Sequence, residues 1–256
     1  LTSYRNCART TTAGAFWLRS RTVAVKTEAQ QAVLALHRIR QQLVKFRTAQ
    51  INALRGLLTE YGEIMPLGRA GLAKGLDAAF ERIAERLPGV LIDTFREQSS
   101  RIAALDDQIN EIERRLQAWH RNDASSRRIA EIPGVGLLTA TAPIASIGDP
   151  KAFKSGRELA AWLGLVPRQS GTGGRLRLLG ISKHGDTYLR TLLIHGARSV
   201  LTHSKNPPLW ATKLAQRRPQ NVAIVALANK MARTIWALLA HERNYQWDFV
   251  SKPTVP

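Results

Sequence analysis

Cysteine occurs once in the 256 residues, at Cys7. That excludes an intramolecular disulfide framework and suits a reducing compartment. No run of 18 or more apolar residues occurs, so a membrane span is not expected. The longest apolar candidate, 132–148, is interrupted by Pro133, Pro143 and three glycines. The chain does not open on the charged-then-apolar pattern of a signal peptide. Acids are scarce where a metal would need them. After residue 150 there are only Glu158, Asp186, Glu242 and Asp248. His184, His195, His203 and His241 are not at ligand spacing, so no metal site is expected in this chain. Asp106, Asp107, Glu111 and Glu113 lie in a heptad pattern and read as a solvated helix face.

Positive charge is abundant. Lys and Arg number 38 against 19 acids, for a net charge of +19 and an isoelectric point near 11.2. Such a balance points to a polyanionic partner, nucleic acid first. The charge is uneven: residues 151–243 hold 16 basic residues against three acids, whereas 1–150 hold 21 against 15. The C-terminal part is therefore the side expected to face a polyanion.

Residues 1–22 show no period and read as irregular and disordered. Residues 23–27 (VAVKT) fit a short strand. Thr27 with Gln30 forms a capping-box signature. A helix follows from Glu28 to about Leu58, carried by Val33, Leu36, Ile39, Leu43 and Phe46 and then by Ile51, Leu54 and Leu57. Residues 59–75 are glycine-rich and read as a loop, with a short helix over Leu76–Leu87. Ile102, Leu105, Ile109, Ile112, Leu116 and Trp119 then step by three and four as a heptad seam. Two partners suit that seam: the first long helix of the same chain, or a second chain in a coiled coil. Asn122-Asp123 ends it. Beyond lie helical periods over Glu158–Leu165, Thr187–Thr202 and Asn221–His241, the last a core helix. The expected fold is mainly α: a long helical coiled-coil hairpin over 23–123, a compact helical domain over 124–245 with a helix-hairpin-helix-like turn, and a tail over 246–256.

Two segments carry chemistry. Ile132-Pro133-Gly134-Val135-Gly136 is a tight turn before a helical run; Gly134 and Gly136 would leave backbone N–H groups free for a phosphate oxygen. The second is Pro167–Asp186 (PRQSGTGGRLRLLGISKHGD), which reads as a functional loop. Hydroxyls lie between glycines there, flanked by arginines and a lysine. Phosphoryl transfer needs such a nucleophile, cations for the phosphate oxygens and an open backbone. No Walker A spacing is present.

The stretches IPGVG…TA, AAWLGLVPRQSGTGGRLRLLGISKHGDTYLRTLLIHGAR and VAVKTEAQQAVLALHRIRQ resemble the insertion-sequence one-ten family of bacterial transposases, in its eleven-eleven subgroup. The likeness covers roughly residues 23–243. It implies DNA transposition by a serine nucleophile in the C-terminal domain, paired with an acidic RuvC-like domain through a helical coiled coil. It also implies a DNA partner, a structured guide RNA, homo-oligomers through the coiled coil, no membrane, and a bacterial cytoplasmic, nucleoid-associated location. The family pattern places the nucleophile five residues after the proline of G-L-x-P. Here that position is Thr172, while Ser170 lies three after Pro167, so both stay candidates. Arg168, Arg175, Arg177 and Lys183 are the candidate phosphate clamps, by their chemistry. The family's four metal-binding acids lie upstream of the VKT-like segment, and residues 1–22 contain no Asp or Glu. No cofactor is expected in this chain, and magnesium only with the RuvC-like domain. The chain alone is expected to bind nucleic acid without completing recombination. The alternatives are a non-enzymatic nucleic-acid-binding protein and a coiled-coil structural protein.

Overall fold

The computed structural model describes residues 25–172 and 175–246. It is mainly α, with nine helices and one two-stranded sheet among the described residues. The expected disorder of 1–22 and all of the tail beyond residue 246 lie outside those residues, as do Val23 and Ala24 of the expected strand; residues 25–27 are not a strand.

α1 (Glu28–Glu60) starts at Thr27, where the capping box forms in full. The Gln30 N–H donates to Thr27 Oγ1 at 3.2 Å, and the Thr27 N–H to Gln30 Oε1 at 3.0 Å. At 1.5 Å per residue the helix is about 50 Å long. α2 (Gly68–Ala84) and α3 (Gly89–Asn122) follow. α3 returns antiparallel along α1, as the ion pairs Arg40–Glu113 and Arg47–Asp106 show. Ile51, Leu54 and Leu58 of α1 pack with Ile92, Phe95 and Ile102 of α3 at the far end. Val33 meets Ile112 and Leu116 at the near end. The heptad seam is thus covered, at Ile102, Ile109, Ile112 and Leu116, inside the chain.

The glycine-rich stretch is not a loop throughout. α2 begins at Gly68, and Leu72, Leu76, Ala79, Phe80 and Ile83 form its buried stripe. Its glycines answer to packing: a Cβ on Gly71 would lie 2.9 Å from Pro66 Cβ, and one on Gly75 would lie 3.3 Å from Met65 Sδ. Close approach of the 65–66 segment, not a turn, is what those positions need.

The C-terminal part gathers short helices around α9 (Gln220–Ala240). These are α4 (Ala124–Ala130), α5 (Leu137–Ile147), α6 (Gly156–Trp162), α7 (Thr187–His203) and α8 (Leu209–Arg217). α8 lies between Pro208, its N-cap, and Pro219, the N-cap of α9. The most membrane-like segment is α9 rather than 132–148: it is long and apolar enough to cross a bilayer by length and composition. Its Ile224, Leu227, Met231, Ile235 and Leu238 are spent in the core. Trp236 Nε1 donates to Pro150 O at 3.0 Å and ties the short 3₁₀ turn Pro150–Ala152 to that helix.

One buried polar link joins the long helices to this core. His37 of α1 is fully buried, with Nδ1 3.0 Å from the Tyr188 hydroxyl on α7 and Nε2 3.0 Å from Thr141 Oγ1 on α5. Burial, then the nearby Arg40 charge, lowers its pKa from 6.5 to about 4. Burial likewise raises that of Tyr188.

Candidate nucleic-acid interface

The Pro167–Asp186 stretch is an antiparallel hairpin, not a loop: β1 (Pro167–Thr172) pairs with β2 (Arg175–Ile181). The alternation Arg175-Leu176-Arg177-Leu178 is a strand signal that the Gly, Arg and Ser content concealed. Ser170 is the register partner of Arg177, and Thr172 that of Arg175. Arg175 and Arg177 are two apart, so Ser170, Arg175 and Arg177 share one face. Arg168 sits at the register irregularity between Pro167 and Gln169, two residues before Ser170. Ser170, Arg168, Arg175, Arg177 and Lys183 are all exposed. No side chain of these five makes a hydrogen bond or ion pair with another described residue. Unpaired guanidinium groups around a free hydroxyl suit a phosphodiester.

The hairpin's foot, in contrast, is heavily fastened. The Ser182 N–H donates to Val166 O at 2.8 Å and the Lys183 N–H to Gly164 O at 3.2 Å. Gly164 and Gly185 have φ of 72° and 79°. A Cβ on Gly185 would lie 1.8 Å from Trp162 O, and one on Gly164 would lie 2.3 Å from His184 O. These two positions require glycine on both counts, conformation and close approach. Arg190 of α7 is buried and closes the joint: Nη1 donates to Leu163 O at 3.1 Å and His184 O at 3.0 Å, and Nη2 to Thr187 Oγ1 at 3.1 Å. Lys183 itself holds φ of 57°, a region that costs a side-chain-bearing residue roughly 1–2 kcal/mol. Sequence reasoning missed Arg190, although an arginine beside Leu189 on the buried stripe of α7 was a visible signal.

The Pro-Gly turn joins α4 to α5, and its two glycines differ. Gly134, φ 84°, lies against α7: its Cβ would be 2.6 Å from Gly196 O, and a Cβ on Gly196 would be 2.3 Å from Gly134 O. Gly136 is exposed, has open space around its Cβ position, and stands at the N-terminus of α5 with no side-chain cap. The turn and the hairpin do not form one cluster. Trp210 and Lys230 stand between them, lining a cavity of about 430 Å³ at Pro133 on one side and a groove at the hairpin foot on the other.

Among the described residues no group of three or more His, Cys, Asp or Glu could hold a metal ion. The acids nearest in sequence to the hairpin are engaged: Asp186 caps α7 by accepting from the Leu189 N–H at 3.0 Å, and Glu158 accepts from the Lys154 N–H. The resemblance assigns magnesium to the RuvC-like domain, and the described residues offer no carboxylate cluster that would hold it.

The family described as "Transposase IS116/IS110/IS902 family" matches residues 126–213, from α4 through the hairpin to α8. A "Probable family 20 transposase" of Pseudomonas aeruginosa is 47% identical over 231 residues, covering 88% of this chain and 68% of that protein. The chain belongs to the IS116/IS110/IS902 transposase family. The "Transposase for insertion sequence element IS1111A" of Coxiella burnetii is 43% identical, over 94% of this chain and 68% of that protein. The "Transposase for insertion sequence element IS1328" of Yersinia enterocolitica is 38% identical, over 84% and 65%. The chain thus spans about two thirds of these transposases' length, and within that span falls the whole hairpin with its hydroxyls and arginines.

Proposed function

We propose that the chain is the DNA-attacking part of an insertion-sequence transposase. A hydroxyl of the β1 strand, Ser170 or Thr172, attacks a DNA phosphodiester. The Oγ–phosphorus bond forms, one strand P–O bond breaks, the hydroxyl proton leaves to a base and the departing strand oxygen is protonated. Arg168, Arg175 and Arg177 neutralise the phosphate oxygens, and Lys183 adds a fourth cation. The observation that carries this reading is the exposed face on which Ser170 stands with unpaired arginines, above a foot that Arg190 and two obligatory glycines hold rigid. Such rigidity keeps a nucleophile within attacking geometry. The strained backbone of Lys183 also supports it, since strain of this kind gathers at working sites. Gly136 and the open first turn of α5 offer a second phosphate contact of helix-hairpin-helix type, which positions DNA without reading its sequence.

The base and the metal-binding carboxylates come from outside these residues, from an acidic RuvC-like domain. Without that domain the hairpin binds DNA and does not cut it. A covalent DNA adduct, formed with that domain supplied and lost in a Ser170→Ala/Thr172→Ala double variant, tests the reading; single variants assign the nucleophile. A purely binding role is the second reading, favoured by one observation: no described side chain is hydrogen-bonded to Ser170 as a base would be. Absence of cleavage with the acidic domain present would decide for it.

Self-association and a guide RNA belong to the same proposal. Leu36 and Leu43 of α1 pack into the cluster shared with α3, but Ile39, Phe46 and Leu57 do not. Ile39, Phe46 and Leu57 are 46%, 51% and 42% exposed, which suits a second chain in a coiled coil. A sedimentation shift to monomer in Phe46→Glu tests this. The surplus of positive charge is support for RNA as well as DNA.

A further inference from the structure

A groove of about 760 Å³ opens at the foot of the hairpin. Pro167 and Leu179 of the hairpin, Trp210 of α8 and Val222 of α9 line it. Asn229 and Arg233, one turn apart on α9, line it as well. Its lining is mostly apolar, yet its polar groups are unspent. Arg233 is half-buried, and its Nε is shielded from solvent without a hydrogen-bond partner among the described residues. The Asn229 amide N–H donates to Leu165 O at 3.2 Å, and its oxygen accepts from no described residue. Lys230 Nζ lies 5.1 Å from the centre of the Trp210 ring and adds positive charge. Among the described residues no Asp or Glu lines the groove.

An occupant must therefore be flat and apolar over its faces, carry acceptors and a donor at its edge, and belong to an anion. A nucleotide meets all three conditions. An apolar peptide would leave the Arg233 charge unanswered, whereas a DNA strand already held by the hairpin brings its own phosphates. The distance fits as well. Pro167 is three residues from Ser170, about 10 Å along the strand, or about three stacked nucleotide steps.

We propose that this groove holds one unstacked DNA nucleobase, from the strand whose phosphodiester lies against the hairpin. Its face rests on Trp210 and its edge on Asn229 and Arg233. This rests on the strand-attack reading and adds a specificity site to it: DNA with an unpaired base near the reacting phosphate is selected over intact duplex.

The test uses the full 256-residue chain and two DNA duplexes of equal length, one fully paired and one with a single unpaired 2-aminopurine. The expected result is binding of the unpaired probe on the order of tenfold tighter, with quenching of its fluorescence. Val222→Glu, at a half-exposed position where folding is not at stake, places a carboxylate in the groove and removes both the preference and the quench. Trp210→Ala does the same and Trp210→Phe restores most of it. Arg168→Ala weakens both duplexes alike and leaves their ratio unchanged. Equal binding of the two probes by the wild type, or a preference that survives Val222→Glu, overturns the groove assignment while leaving strand attack standing. The same preference shown only by an RNA bulge overturns the assignment to DNA. No binding of any probe overturns the strand-attack reading together with the groove.

Discussion

Arg190 is where the hairpin's rigidity can be measured. Replacing it with methionine keeps the apolar stem and removes three hydrogen bonds, to Leu163 O, His184 O and Thr187 Oγ1. Leu163 O is a buried main-chain acceptor and His184 O a partly buried one, and neither has a second partner among the described residues. An orphaned buried acceptor costs about 1–3 kcal/mol and a partly buried one somewhat less, so the two together cost roughly 2–5 kcal/mol. The desolvation of the guanidinium, no longer required, offsets part of this, and about 3 kcal/mol is the expected net loss. That is a large share of the roughly 5–15 kcal/mol that holds a domain folded. With a urea slope of about 3 kcal/mol/M, the unfolding midpoint falls by about 1 M. Limited trypsin digestion reads the local effect, because the hairpin carries cleavable Arg168, Arg175, Arg177 and Lys183. Cleavage after Lys183 should accelerate far more than cleavage in α1. A midpoint shift below about 0.3 M, or unchanged digestion at Lys183, would refute the claim that Arg190 fastens the foot.

Four further outcomes follow from the same geometry. Gly185→Ala should unfold the foot outright, since its Cβ would lie 1.8 Å from Trp162 O at φ 79°; near-wild-type thermal stability would contradict the packing. His37 stays neutral in the fold, with its pKa lowered from 6.5 to about 4 by burial and by Arg40. The unfolded chain therefore takes up the proton first, so stability falls as the pH drops from about 6.5 to about 4 and levels off below. The loss is roughly 3 kcal/mol at most, and His37→Gln should flatten that slope in urea titrations at stepped pH. DNA affinity should fall steeply with salt, and Arg168→Ala or Arg177→Ala should each reduce the log–log slope by about 1. Lys183→Gly should raise stability by about 1 kcal/mol by relieving φ of 57° while weakening DNA binding; a loss of both would place Lys183 in the fold's packing instead.

What was legible in the sequence followed from local chemistry. Thr27 and Gln30 announced the start of α1, and the three-four stepping from Ile102 to Leu116 announced α3, because caps and amphipathic periods are written in neighbouring residues. The partner of that seam was not legible, since α3 packs on α1 through pairs such as Arg40–Glu113 that lie 73 residues apart. The hairpin read as a loop because its glycines and arginines outweighed a short alternation. α2 was shortened for the same reason: Gly71 and Gly75 look like loop residues until Pro66 and Met65 are seen against them. At the candidate site, the hydroxyls and cations were legible as a run of residue types. The groove was not, because Pro167, Trp210 and Arg233 meet only through folding. Gly134 was read for phosphate, and its contact with Gly196 adds a packing demand that no local pattern carries.

The most direct test of the central claim is the covalent adduct itself. The chain is incubated with labelled insertion-sequence end DNA and a relative's acidic RuvC-like domain supplied in trans, then resolved on a denaturing gel. The modified peptide is sequenced by mass spectrometry. Strand attack from the hairpin predicts a protein–DNA band whose phosphoester maps to Ser170 or Thr172 and which vanishes in the double alanine variant. A band that persists in that variant, or cleavage with no adduct at all, would contradict it.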